Sequence, residues 1–286
     1  MNHYDQVIAD AVQTVVRKQT DVGVDVVSDG EQSKISYATY IKHRLNGFDG
    51  DSPRRTPKDL EEYPAFSKRA SSSGGVPTYS RPQCVGPISV KDLKPLEVDL
   101  QNFKDALSVS EATDAFMNAA SPGVIAQFQP NQHYPDHSSY LYALADAMKV
   151  EYEGIAEAGL VIQIDSPDLA LGRHVLFKDQ SDEEFVAMAE LHIEALNHAL
   201  QNIPAEQLRL HVCWGNYQGP HHCDIEMKKI LPAVLKAKPM ALSFEGANPR
   251  HSHEWSVFRD AKIPENKVLI PGVLAVSYTH LTLPTT

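Results

Sequence analysis

The sequence predicts an α/β fold built on a parallel sheet, in the form of a (β/α)8 barrel. Short apolar segments that read as strands alternate with longer segments carrying apolar residues at helical spacing. Polar residues gather at the C-terminal ends of those strands: Glu31, Asp165, His211 with Cys213, and Glu245. That end is the rim where barrels carry function. A doubly wound sheet fits the alternation too, but it normally shows a Gly-x-Gly-x-x-Gly loop after its first strand, and none occurs here.

The elements follow in order. Val7, Ile8, Ala11, Val12, Val15 and Val16 lie on one helical face within residues 4–23. Residues 25–28 read as a short strand ending at Asp29-Gly30-Glu31, and a helix is expected over 37–45. Residues 49–80 are rich in Pro, Ser, Gly and charge and read as a long insertion, a hairpin or lid. Further strands are expected at 84–90, 124–128, 160–165, 208–213, 241–245 and 268–273. Leu141, Leu144, Met148, Tyr152 and Ile155 stripe one intervening helix; Phe185, Met188, Leu191, Ala195 and Ala199 stripe another. The second opens with Ser181-Asp-Glu-Glu184, a capping box. A third helix is expected from about 224, with Pro232 kinking it or ending it early.

Composition bounds the function. The chain has 286 residues, 42% hydrophobic and 22% charged, which are ordinary globular values. Its net charge of −11 argues against nucleic-acid or anionic-membrane partners, which need clustered Lys and Arg. No apolar run approaches the roughly 18 residues of a membrane span, and the first ten residues carry no basic signal region. Three cysteines (Cys84, Cys213 and Cys223) suit free thiols or metal ligands rather than a disulfide scaffold. A cytoplasmic protein acting on small molecules is expected, of undetermined oligomeric state.

Residues i and i+2 of a strand point to the same side, so His211 and Cys213 can converge on one ion, and imidazole with thiolate suits Zn²⁺. Taken alone, the pair fits a buried cysteine beside an ordinary histidine better than a metal site. Glu245 ends the next strand and can offer a carboxylate oxygen, or serve as a cap. Asp165 ends a largely apolar strand and needs cations or donors around it; structural pairing and substrate binding both satisfy that need. Glu31 stands in the same position. His221, His222, His251 and His253 read as structural or as supports to the site; Cys223 reads as incidental, a substitute metal ligand being the alternative.

Taken together, Gln163-Ile-Asp165, His211-Val-Cys213 and Ser243-Phe-Glu245 resemble, in order and spacing, the C-terminal catalytic barrel of cobalamin-independent methionine synthase. Val27-Ser-Asp-Gly-Glu31, Cys84-Val-Gly-Pro-Ile-Ser89, His211-Val-Cys-Trp-Gly-Asn216, Gly219-Pro-His-His222, Asn248-Pro-Arg-His-Ser-His-Glu-Trp255 and Leu269-Ile-Pro-Gly272 extend the resemblance to a shorter, stand-alone branch. That branch includes proteins resembling epoxyalkane:coenzyme M transferase. The resemblance implies transfer of a methyl or alkyl group to a small-molecule thiol. It implies zinc on His211, Cys213 and Glu245, and an amino group held by Glu31 and Asp165. Asp165-Ser-Pro167 departs from the Asp-Glu-Pro more usual in methionine synthases and leaves homocysteine an open choice.

The resemblance covers about residues 4–274, expected as a single barrel. It also implies a first strand before Met1 and a last strand after Gly272, whose Asp-Cys-Gly would supply a fourth zinc ligand. The expectation is therefore a barrel lacking its first and last strands, weakened in zinc binding or inactive as it stands. Residues 275–286 break from the pattern and read as a foreign tail. A rival reading, a metal-free enzyme resembling uroporphyrinogen decarboxylase, calls for an Arg-rich rim that the sequence lacks.

Overall fold

The computed structural model describes residues 3–53, 55–72, 81–215 and 219–274. The expected tail at 275–286, Asn216 and most of the Ser/Gly run at 71–75 lie outside the described residues.

Helix α1 (His3–Asp21) leads into β1 (Val26–Ser28), and a 3₁₀ turn (Thr39–His43) into β2 (Leu45–Asp49). Helices α2 (Lys58–Glu61) and α3 (Pro64–Ser72) follow, then β3 (Gln83–Val90) and α4 (Lys94–Ser108). Strand β4 (Asp114–Ala120) runs into α5 (Pro122–Phe128) and α6 (His137–Glu157). Strand β5 (Val161–Asp165) is followed by α7 (Gly172–Val175) and α8 (Asp182–Ala199). The chain continues through β6 (Leu208–Val212), α9 (Met227–Val234), β7 (Ala241–Glu245), α10 (Trp255–Asp260) and β8 (Val268–Gly272).

Six strands form one parallel sheet in the order β1-β4-β5-β6-β7-β8. Each strand after β1 pairs with the one before it across a helical crossover, the winding of a barrel, and the sheet curls as an incomplete one. Among the described residues β1 and β8 are its edges, and Val26 and Val268 there are exposed. The expected α/β barrel lacking strands is what the fold presents.

Strands 2 and 3 stand apart. They pair antiparallel as a two-stranded sheet, and the 49–80 insertion connects them, its described part holding helices α2 and α3. Arg44 ties the hairpin to the helices: its guanidinium bridges Asp99 of α4 and Glu151 of α6, the latter at 2.8 Å. Tyr40 donates a 2.5 Å hydrogen bond to the same Glu151.

Parallel strands covered on both sides usually read as unbroken apolar runs. These alternate instead. Ile162, Ile164, Leu210, Val212, Leu242 and Phe244 are buried in the core. Their neighbours Gln163, Asp165, Arg209, His211, Ser243 and Glu245 share the other face, because successive side chains of a strand point oppositely. That polar face positions the candidate site.

Two expectations fail. Residues 124–128 form helix α5, not a strand; Ser121 caps it by accepting from the Val124 amide at 3.0 Å, with Pro122 at its first position. The sheet strand is β4, eight or so residues earlier. The 37–45 helix is a 3₁₀ turn that gives way to β2 at Leu45. The third helix begins three residues later than expected, at Met227, and ends early at Val234, two residues after Pro232, as expected. The capping box at Ser181 and Glu184 is present in full.

Candidate functional site

Register brings the site together. Asp165 ends β5 directly opposite His211 of β6. His211 Nδ1 lies 3.0 Å from Asp165 Oδ1. Gln163 donates to the same oxygen at 2.9 Å, and Asn118 of β4 donates to Oδ2 at 2.8 Å. Burial works against the Asp165 charge, but the His211 contact and the two amides outweigh it. They hold the carboxyl below its ordinary range.

Cys213 follows the end of β6 and meets Glu245 at the end of β7. The thiol donates to Glu245 Oε1 at 3.3 Å and accepts from the Gly215 amide at 3.2 Å. Asn248 donates to Glu245 Oε2 at 2.6 Å and fixes the carboxylate. Burial, then the Glu245 charge, pushes the Cys213 thiol far up, with Asp165 adding to the shift. Without a cation, this cysteine stays a neutral thiol.

Glu31 sits beyond β1 in a left-handed turn at φ 53°, its amide donating to Asp29 at 3.0 Å. Lys34 approaches Glu31 Oε1 at 3.5 Å, yet that buried oxygen has no hydrogen-bond partner. Burial raises the Glu31 pKa; Lys34 opposes the rise and Asp165 adds to it. The charge of Asp165 thus reaches both Glu31 and Cys213, and its oxygen holds His211.

The structure joins Cys213 to Glu245 and His211 to Asp165. It does not draw His211, Cys213 and Glu245 into one tight cluster: the groups whose donor atoms all lie within 4.8 Å are elsewhere. The imidazole is turned by Asp165, and that contact is how metal-binding histidines are commonly oriented, with the second ring nitrogen left to the ion. A sulfur, an imidazole and a carboxylate form a zinc-class donor set, and the displaced Cys213 pKa marks a place where a cation would be favoured. On donor chemistry and electrostatics these residues fit a zinc ion.

Sequence reasoning missed the supports. Asn118 lies on the unrecognised β4, and Asn248 acts across a turn. It also passed over a polar network beside the site. His251 stacks on Trp214, with ring centroids 4.1 Å apart, and holds Asp224 at 2.7 Å. Burial works against the charged His251 ring, but hydrogen bonds to Asp224 and Glu254 raise it to about 9. His174 lies fully buried between Asp224 and Asp59, at 3.2 and 3.7 Å. The dense histidine motif at 221–222 and 251–253 was the available signal.

No family model matches the chain. The methionine synthase of Saccharolobus solfataricus is 28% identical over 238 residues, covering 82% of this chain and 61% of that protein. The methionine synthase of Sulfurisphaera tokodaii is 29% identical over 209 residues, covering 73% and 52%. The chain thus spans only 61% and 52% of the length of these two curated relatives. The structure of a B12-independent methionine synthase from Shewanella sp. W3-18-1, in complex with selenomethionine, superposes with a TM-score of 0.65 at 20% identity. That match covers 95% of this chain and 72% of the other, and it shows a shared fold. The resemblance read from the sequence motifs is borne out. Among the described residues, no helix is long and apolar enough to cross a membrane.

Proposed function

We propose that this chain, a relative of the cobalamin-independent methionine synthases, carries the site of a zinc-dependent methyl transfer to a small-molecule thiol. The observation that carries the reading is the position of Asp165, bonded to His211 on one side and charge-coupled to Glu31 and Cys213 on the other.

His211, Cys213 and Glu245 are the residues that would hold zinc, which when bound supplies deprotonation of a coordinated thiol near neutral pH. The chain's own groups do the rest. Asp165 orients the His211 ring and is itself kept ionised by Asn118 and Gln163. Glu31 and Asp165 together present two carboxylates to the ammonium of an aminothiol. Glu31 Oε1, which Lys34 approaches only to 3.5 Å, provides an acceptor for it, and an arriving cation opposes the burial and the Asp165 charge that raise the Glu31 pKa. Asn248 keeps Glu245 aimed at Cys213.

The test incubates zinc-loaded protein with homocysteine and a methyltetrahydrofolate, and in parallel with coenzyme M and short epoxides. The account expects methionine in the first arm. Product only in the second arm would keep the zinc chemistry and change the substrate. No thiol alkylation in either arm, from protein that is folded and zinc-loaded, would overturn the reading.

A further inference from the structure

We propose a second metal site, separate from the rim, formed by Asp59, His222 and Cys223 and suited to a zinc-class divalent cation. The donor atoms of these three residues all lie within 4.8 Å of one another. His222 Nδ1 stands 3.4 Å from Asp59 Oδ1. That matches the edge of about 3.3 Å expected between ligands of a tetrahedral ion with bonds of about 2.0–2.1 Å.

Two further observations point to an ion. The other nitrogen of His222, Nε2, lies 2.7 Å from Glu62 Oε2. A carboxylate behind an imidazole is the usual outer support of a metal-bound histidine. Asp59 itself is fully buried, although carboxylates seldom are. Beside it stands His174, fully buried with neither ring nitrogen hydrogen-bonded, its Nε2 3.7 Å from Asp59 Oδ2. This is a polar pocket with capacity to spare, where a lone surface ion pair would need none.

The donor set is one sulfur, one nitrogen and one oxygen, which selects zinc over magnesium or calcium. The exposed edge of His222 gives an ion access from solvent. The site also has a structural consequence. Asp59 belongs to α2 in the insertion, whereas His222 and Cys223 precede α9. The backbone of Cys223 already donates to Asp59 at 2.7 Å. An ion there clasps the hairpin connection to the body of the fold.

The experiment titrates chelator-treated protein with Co²⁺ and reads thiolate–cobalt absorption, using Cys213→Ser to silence the rim. In that background the proposal expects one thiolate-bound equivalent, abolished by adding Cys223→Ser. It expects Glu62→Gln to weaken binding by about tenfold or more. Zinc should also raise the melting temperature of Cys213→Ser and leave that of the double variant unmoved. Absence of thiolate–cobalt absorption in folded Cys213→Ser overturns the proposal. So does absorption that survives Cys223→Ser. Neither result depends on whether the rim site binds metal or turns over substrate.

Discussion

Replacing Asp165 by Asn keeps the shape of the side chain and removes its charge. The carboxylate accepts from Gln163, His211 and Asn118 at 2.9, 3.0 and 2.8 Å. An amide oxygen can still accept from Gln163 and His211, and a flip of Asn118 restores the third contact. The loss is therefore mainly the charge assistance, about 1 kcal/mol for each of the two strongest bonds and about 2 kcal/mol in all. For a chain of this size that lowers the melting temperature by about 4–8 °C. The pH dependence distinguishes this cause from a packing defect. The folded pKa of Asp165 lies below its unfolded value, so its stabilisation is complete at neutral pH and is lost as the pH falls through the folded value. Urea unfolding of both chains should show a constant gap above about pH 5 that narrows in stronger acid. A gap that persists unchanged in acid, or no gap at pH 7, would refute the assignment of Asp165 as an ionised hub.

Other outcomes follow from single contacts. Arg44→Met leaves Asp99 and Glu151 buried without their cation, and urea denaturation should show a loss of about 3–5 kcal/mol. Ser181→Ala removes the capping box of α8 and should cost about 1 kcal/mol by the same measurement. Glu31→Gln should raise KM for an aminothiol by about 10-fold or more, equivalent to about 1.4 kcal/mol, while a thiol without an amino group is unaffected. Equal effects on both thiols would remove Glu31 from ammonium binding.

Much of this arrangement was legible in the sequence, for identifiable reasons. Strands β5 to β8 carry short apolar segments with punctuating Gly, Pro and charge, and α6 and α8 are long enough for periodicity to speak. The polar groups at the ends of β5, β6 and β7 stood out because each closes a short, largely apolar strand. The errors have physical causes too. Val124 to Ala126 are wholly buried, so α5 has no polar face to reveal its helical period, and a short apolar helix reads like a strand. The Ser121-Pro122 start signal was the clue. Strand β4 was hidden because it is built from small residues around Asn118, whose polarity serves Asp165. Strand β2 contains Gly47 at φ 94°, which interrupts any strand pattern. The Asp59 to His222 contact joins residues more than 160 positions apart, beyond what spacing conveys.

The most direct test of the central claim is zinc-edge X-ray absorption on the zinc-loaded Cys223→Ser chain, whose remaining thiols are Cys213 at the rim and Cys84 buried in the hairpin. The account predicts a stoichiometric ion with one sulfur and nitrogen or oxygen neighbours, lost together in His211→Ala and Cys213→Ala. Zinc with no sulfur neighbour, or zinc retained unchanged by both substitutions, would contradict it.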